Sequence, residues 1–430
     1  MTSGPSRPRV SRRGVLAGVA GLVTAPTSPS VGETARLSVL TWNCYLGVDL
    51  FRLQGATTPE QVRRVAGELL NEAVSHPYGR RARRIAAEIA DARPTVVALQ
   101  EVVSLTTQAR SGDTPDRSEE GTTVVDFLDL LRSALADQDP SYEVAVVTPT
   151  TTVRVPADSE TGTVDLHLTD RDVILVRQDV RVEEVRSGIF DARLAVFMAG
   201  ETARVTRGFS VVDIIVQGIP VTVSTTHLES ASGAVRRQQA RELLDRLPTD
   251  RPVVLAGDFN AGPDTNPKTY ELLLGSLRDV VSAGAGSAAG PTCCQPPHLR
   301  TAESSLTARV DTVLYRGRIR ANSAERIAAD PADRITHVVD DGEVRQWPSN
   351  HAGVLATLTL RAAKSTPGRT GTPSSASTTT STPIEPTEPD RTDRRTGEPT
   401  GDAMDGFGPV AAVVSLVVAL AAGATMMRDP

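Results

Sequence analysis

Apolar and polar residues along this chain follow two periods in turn. Residues 36–42 (RLSVLTW) alternate with period two, as a strand does, and run into Asn43. Residues 94–102 (PTVVALQEV) are continuously apolar up to Gln100 and Glu101, which reads as a strand buried on both faces. Further strands are predicted over 142–147, 172–177 (DVILVR), 309–315 and 353–360, the last preceded by Pro348-Ser349-Asn350-His351. Residues 206–226 read as a hairpin turning at 217–220, with its second strand ending at His227. Residues 252–256 (PVVLA) lead into Gly257-Asp258-Phe259-Asn260, where Asp258 and Asn260, two apart on an extended backbone, share one side. Helical spacing marks 59–76, with Val62, Val65, Leu69, Leu70 and Ala73 on one face and Thr58 as N-cap. It recurs over 80–92, 127–136, 233–247 and 268–274, while 106–121 and 284–300 read as irregular. Strand and helix periods alternate, with hairpins among them. That predicts a mixed-sheet α/β unit spanning residues 34–362 as one large domain.

The two ends break this pattern. Ser11-Arg12-Arg13 precedes an apolar run over 15–25. It resembles a twin-arginine (Tat) export signal, so residues 1–33 are expected to be a signal peptide. The run is shorter than the roughly 20 residues that span a bilayer. Residues 363–405 are rich in Thr, Ser and Pro and cannot bury a core, so they read as a solvated stalk. Residues 406–427 are apolar and long enough to cross a membrane. Stalk, Gly-Phe and hydrophobic tail together resemble the archaeal Pro-Gly-Phe sorting tail, although Asp405 stands where that motif has Pro. The expected location is the outer face of the cell membrane, reached by Tat export and held by the helix or by a lipid anchor.

Composition narrows the picture modestly. A formal charge of −6 does not advertise nucleic-acid binding, though a local groove can be basic on an acidic protein. The three cysteines, Cys44, Cys293 and Cys294, do not make a disulfide framework. Adjacent cysteines bridge to each other only with strain, so free thiols and a single bridge to Cys44 are both open. The run RRARR at 80–84 reads as a solvated face rather than a phosphate patch.

The candidate chemistry lies where apolar runs end: Asn43, Glu101, His227, Asp258 with Asn260, and His351. Five polar strand ends point to one shared cleft. A carboxylate that holds a hard cation, two histidines that stabilise phosphoryl charge or move protons, and an acid–amide pair that orients water suit phosphoester hydrolysis. In order, TWN, LQEV, THLES, GDFN, RVD and SNH resemble the endonuclease/exonuclease/phosphatase superfamily. The resemblance implies a four-layered α/β sandwich, two mixed β-sheets flanked by helices, with a cleft along one edge. It implies Mg²⁺ or Mn²⁺ as cofactor and Glu101 as principal metal ligand, with Asn43 and Asn350 at the other metal positions. Asp258 and Asn260 take the place of the pair that positions the nucleophile and contacts phosphate. His351 with Asp311 matches the carboxylate-paired histidine. His227 matches the second histidine of the nuclease and sphingomyelinase branches, where it meets substrate.

Asn350 departs from the family's Asp and cannot act as a base or an anionic ligand. The function implied is a monomeric, metal-dependent phosphodiesterase, nuclease-like, with a sphingomyelinase- or phospholipase C-like enzyme and a non-catalytic binding module as the alternatives. Its partner is a phosphodiester, in nucleic acid or phospholipid, and no protein partner is expected. Outside that set, Asp170 and Asp172 stand at the head of DVILVR, where the resemblance implies a substrate-contacting side chain, and read equally as strand-edge charges, while Arg207 reads as the start of a strand rather than a grip on substrate. His167, His298 and His337 read as surface residues, and Trp42 as core.

Overall fold

A computed structural model describes residues 34–111, 114–115, 121–198, 201–283, 290–339 and 342–363. The expected export segment, and the stalk and hydrophobic tail beyond residue 363, lie outside the described residues. Among the described residues no helix is long and apolar enough to cross a membrane.

Two mixed sheets form the centre. The nine-stranded sheet runs Ile319–Ile327, Gly353–Arg361, Thr34–Asn43, Val96–Gln100, Gly162–Arg177, Ser104–Ser111 and Thr114–Pro115, with Thr122–Asp126 and Tyr142–Ser159 paired off this path. The six-stranded sheet runs Arg278–Asp279, Asp311–Arg316, Val253–Asp258, Ile219–His227, Gly208–Val216 and Arg181–Ile189. Each contains a parallel pair: Thr34–Asn43 with Val96–Gln100 in the first, Ile219–His227 with Val253–Asp258 in the second.

Side-chain alternation explains the layering. Leu37, Val39, Val96 and Ala98 of the first sheet meet Val221, Val223, Val254 and Ala256 of the second in one core between the sheets. Their neighbours Leu40, Trp42, Val97 and Leu99 face the other way, under helices Pro59–Ser75, Tyr78–Ala92 and Phe127–Leu135. Val253, Leu255 and Leu314 pack on the opposite outer face against Leu243, Tyr270 and Leu273 of helices Gly233–Arg246 and Pro267–Leu274. The result is the four-layered sandwich with helices outside. Both faces of the apolar runs are therefore buried, and each such Val or Leu contributes about 1.5–3 kcal/mol.

Local signals set the elements. Thr58 accepts a hydrogen bond from Gln61 N at 3.3 Å and starts its helix as the sequence predicts. At the 217–220 turn, Gln217 and Gly218 have φ of 48° and 83°, the positive pair that matches hairpin twist.

Four expectations are corrected. Residues 104–111 are a strand, not irregular, and the strands at 142 and 177 belong to a long hairpin, Tyr142–Ser159 with Gly162–Arg177. The cause is threonine, which counts as polar in a hydrophobic pattern yet is β-branched and favours strands. Arg81, within the RRARR run, is fully buried rather than solvated. Cys293 and Cys294 are joined to each other, and Cys44 is a free, buried thiol.

Candidate active site at the edge of the two sheets

The strand ends converge. In the second sheet His227 lies opposite Asp258, and Asp258 opposite Asp311. In the first, Asn43 lies opposite Gln100, one residue before Glu101. Gly257 allows the close approach, because a Cβ there would stand 2.2 Å from the carbonyl oxygen of Thr226. Glu101 and Asn260 adopt φ of 54° and 47°, a region L-residues rarely hold unless the surroundings enforce it.

Asn43 ties the two sheets together at this edge. Its Nδ2 donates to Glu101 Oε1 at 2.9 Å and to Asp258 Oδ2 at 3.1 Å, while its Oδ1 accepts from Tyr45 N at 2.9 Å. As placed, Asn43 presents a donor to the carboxylates, and holding a cation through its oxygen requires the amide to turn over. Glu101 Oε2 accepts from Leu46 N at 3.0 Å. Asp258 Oδ1 accepts from Asn260 N at 2.9 Å, and Asn260 Nδ2 donates to the carbonyl of Leu228 at 2.9 Å. Burial first, then the Asp311 carboxylate, pushes Asp258 up to about 7 against the pull of His351 and of donors from Asn260 and Asn43.

His351 and His227 flank Asp258 Oδ2, at 3.8 Å from Nδ1 and 3.4 Å from Nε2 respectively. His351 Nδ1 lies 2.8 Å from Asp311 Oδ2. Burial works against a charged ring there, but the carboxylates of Asp311, Asp258 and Glu101 overcome it and raise His351 to about 9. The loop before it is pinned by Ser349 Oγ donating to the Asn43 carbonyl at 2.6 Å and Trp42 Nε1 donating to the His351 carbonyl at 3.0 Å. His227 is the reverse case. Burial, then the charges of Arg207 and His351, hold its pKa well below the ordinary histidine value. Arg207 NH1 lies 2.9 Å from His227 Nδ1 and 3.2 Å from Asp170 Oδ2. A guanidinium only donates, so Nδ1 is the acceptor and the proton of the neutral ring sits on Nε2.

Three residues here were left open, or given a plain structural role, by the sequence. Asp170, Asp172 and Arg207 are fully buried, not edge charges or the plain start of a strand. Burial, with the charge of Glu101 and against that of Arg207, raises Asp170 to about 6. Burial and the neighbouring Asp170 charge raise Asp172 well above the carboxylate range. Two acids spaced two apart at the head of a buried run share one side of the strand. That was the available sign that a cation had to meet them. Arg81 supports the site from beneath: Nε donates to the Pro348 carbonyl at 2.7 Å and NH2 to the Tyr45 carbonyl at 3.0 Å. It thereby joins the loops that follow Asn43 and precede His351. His337 is buried, not on the surface, whereas His298 is exposed and His167 half-buried.

These residues fit a divalent cation. Glu101, Asp170, Asp172, Asp258 and Asp311 are all buried, faced by the Arg207 guanidinium and the His351 ring. That is a surplus of acid which bound positive charge offsets. One oxygen each of Asp258 and Asp311 and a His351 nitrogen lie within 4.8 Å of one another. The Oδ1 atoms of Asp311 and Asn350 are buried without a hydrogen-bond partner.

Comparison with known proteins follows the geometry. The family model described as "Endonuclease/Exonuclease/phosphatase family" matches residues 40–351, more than half of the chain. No curated protein matches. Among solved structures, an endonuclease/exonuclease/phosphatase family protein from Bacteroides thetaiotaomicron is 16% identical over 77% of this chain and 100% of its own, with a TM-score of 0.49. A mannosyl-6-phosphatase from the same species is 17% identical over 75% and 99%, TM-score 0.46. D. rerio TDP2 complexed with single strand DNA product is 17% identical over 75% and 98%, TM-score 0.43. The chain belongs to the endonuclease/exonuclease/phosphatase family, whose members are generally hydrolases acting on phosphoesters and typically depend on a divalent metal.

Proposed function

We propose that this protein is a metal-dependent phosphodiesterase, nuclease-like, that cleaves phosphodiesters by in-line attack of water. The observation that carries the reading is the pair of histidines on either side of Asp258, one held by the Asp311 carboxylate and the other by the Arg207 guanidinium. Glu101, with Asn43 against it and with Asn350, would hold Mg²⁺ or Mn²⁺, which would supply charge neutralisation at the phosphoryl oxygens. Asp258, poised at about 7, orients the attacking water and takes its proton. Asn260 fixes that carboxylate through its backbone N–H and lends its side-chain oxygen to the water. His227 donates its Nε2 proton to a phosphoryl oxygen. His351, cationic below about 9, stabilises charge as the bond breaks and protonates the leaving oxygen. In this scheme Asp311, Arg207 and Asp170 are positioning residues.

Nucleic acid is favoured over lipid by the 3% aromatic content, since enzymes that work on a lipid film usually insert aromatic or aliphatic loops. The twin-arginine segment and apolar tail support a protein exported and tethered outside the membrane. The test is a panel of plasmid DNA, RNA, sphingomyelin, phosphatidylcholine and inositol phosphates, each with and without Mg²⁺. Turnover of DNA or RNA is the expected result. Turnover of sphingomyelin alone would replace the nuclease reading, and none on any member would favour a binding module.

A further inference from the structure

Residues 292–294 lie against the catalytic histidine. Cys293 makes isolated strand bridges to both Ala308 and His351, and Ala352 N donates to the Thr292 carbonyl at 2.8 Å. This backbone carries Cys294 Sγ to 3.6 Å from His351 Nε2. The two sulfurs and a nitrogen of the His351 ring all lie within 4.8 Å of one another. Both cysteines are half-buried and reachable from solvent, unlike the sealed Cys44, whose thiol burial pushes up to about 12. Asp311 engages Nδ1 of the same ring and turns Nε2 toward the sulfurs, the orientation a metal-binding histidine needs.

We propose that reduction of the Cys293–Cys294 disulfide opens a three-ligand site, two thiolates and His351 Nε2, for a thiophilic divalent cation of the zinc class, and that filling it stops hydrolysis. In the structure the sulfurs are a disulfide, and they become ligands only as thiolates. A phosphine reductant attacks one sulfur with its lone pair and breaks the S–S bond; the disulfide takes up the two electrons, water supplies the oxygen of the phosphine oxide, and the two protons of that water leave both cysteines as thiols. Cation binding forms two metal–sulfur bonds and one metal–nitrogen bond, and it releases the two thiol protons together with the Nε2 proton of the cationic His351 ring. Cys₂His leaves the open fourth position common for zinc, while thiolates select against Mg²⁺, which stays with the carboxylates. The cation ties up the nitrogen that hydrolysis requires. The site itself rests on geometry, and only the inhibition rests on the phosphodiesterase reading.

The probe is Cd²⁺, added to the full chain in Mg²⁺ buffer after phosphine treatment and, in parallel, to untreated protein. Reduced protein should develop an ultraviolet cadmium–thiolate band saturating at a single cadmium per chain, and its turnover should fall by about tenfold or more. Untreated protein and the Cys293→Ser/Cys294→Ser double variant should show no band and should keep their turnover. No band in the reduced wild type, or an equal band in the double variant, would overturn the site. Equal inhibition of untreated and doubly substituted protein would overturn the switch, because Cd²⁺ would then act at the carboxylates. A band with no turnover to inhibit would uphold the site while refuting its role as a switch.

Discussion

His351 and His227 both reach Asp258 Oδ2, at 3.8 and 3.4 Å, yet one leans on a carboxylate and the other on a guanidinium. Asp311 makes the first a cation at neutral pH. Burial keeps the second neutral, and Arg207 adds to that and fixes its proton on Nε2. Identical side chains at similar depth thus take different tasks because of a single neighbour each. The lesson is that partner chemistry, not residue type or burial, assigns acid and donor around the shared Asp258.

The comparison breaks most completely at its hinge. Asp258→Asn removes the group both rings face, and steady-state turnover of a phosphodiester should fall by roughly 10³–10⁴-fold. Unchanged turnover would remove Asp258 from the chemistry. His351→Gln should cost roughly 10²–10³-fold in kcat, more than His227→Gln, because only the former loses a positive charge. Equal losses would erase the distinction between the corners.

Positioning residues sharpen it. Asp311→Asn should lower turnover by about 10–100-fold. It should also move the alkaline limb of the pH–rate profile. The wild type should lose activity as pH rises through about 9, where His351 gives up its proton. Without the Asp311 charge that loss should begin at lower pH. Arg207→Met should cost a similar factor while leaving the alkaline limb in place, since it meets His227 and Asp170 rather than the His351–Asp311 pair. The smallest effect belongs to Arg81→Met, which strands buried carbonyls of the Tyr45 and Pro348 loops. Chemical denaturation should show a loss of about 1–3 kcal/mol in stability.

The same contrast marks what the sequence could and could not tell. Asp258, Asn260 and His227 were legible because each ends an apolar run, and a strand end is where this architecture gathers polar groups. The Asp311–His351 pairing came from the family motifs RVD and SNH, not from spacing. Arg207 and Asp170 were not legible. Arg207 precedes a strand and Asp170 lies inside the strand Gly162–Arg177, so neither ends one, and an Arg–Gly pair or a paired Asp is ordinary at an exposed edge. Only three-dimensional closure shows that edge to be buried. Arg81 was lost inside a basic run that is otherwise a plausible solvated helix face. The sandwich itself was readable from doubly buried runs, whereas the hairpin of 142–177 was half missed because threonine, proline and charged residues break up its apolar positions.

The most direct test of the account is the initial rate of phosphodiester hydrolysis in EDTA, followed by a Mg²⁺ titration of wild type and Glu101→Gln. The cluster of buried acids around Asp258 requires that EDTA abolish the rate, that Mg²⁺ restore it, and that Glu101→Gln need far more metal for half-maximal recovery. Full activity in EDTA, or identical metal dependence in the two proteins, would contradict it.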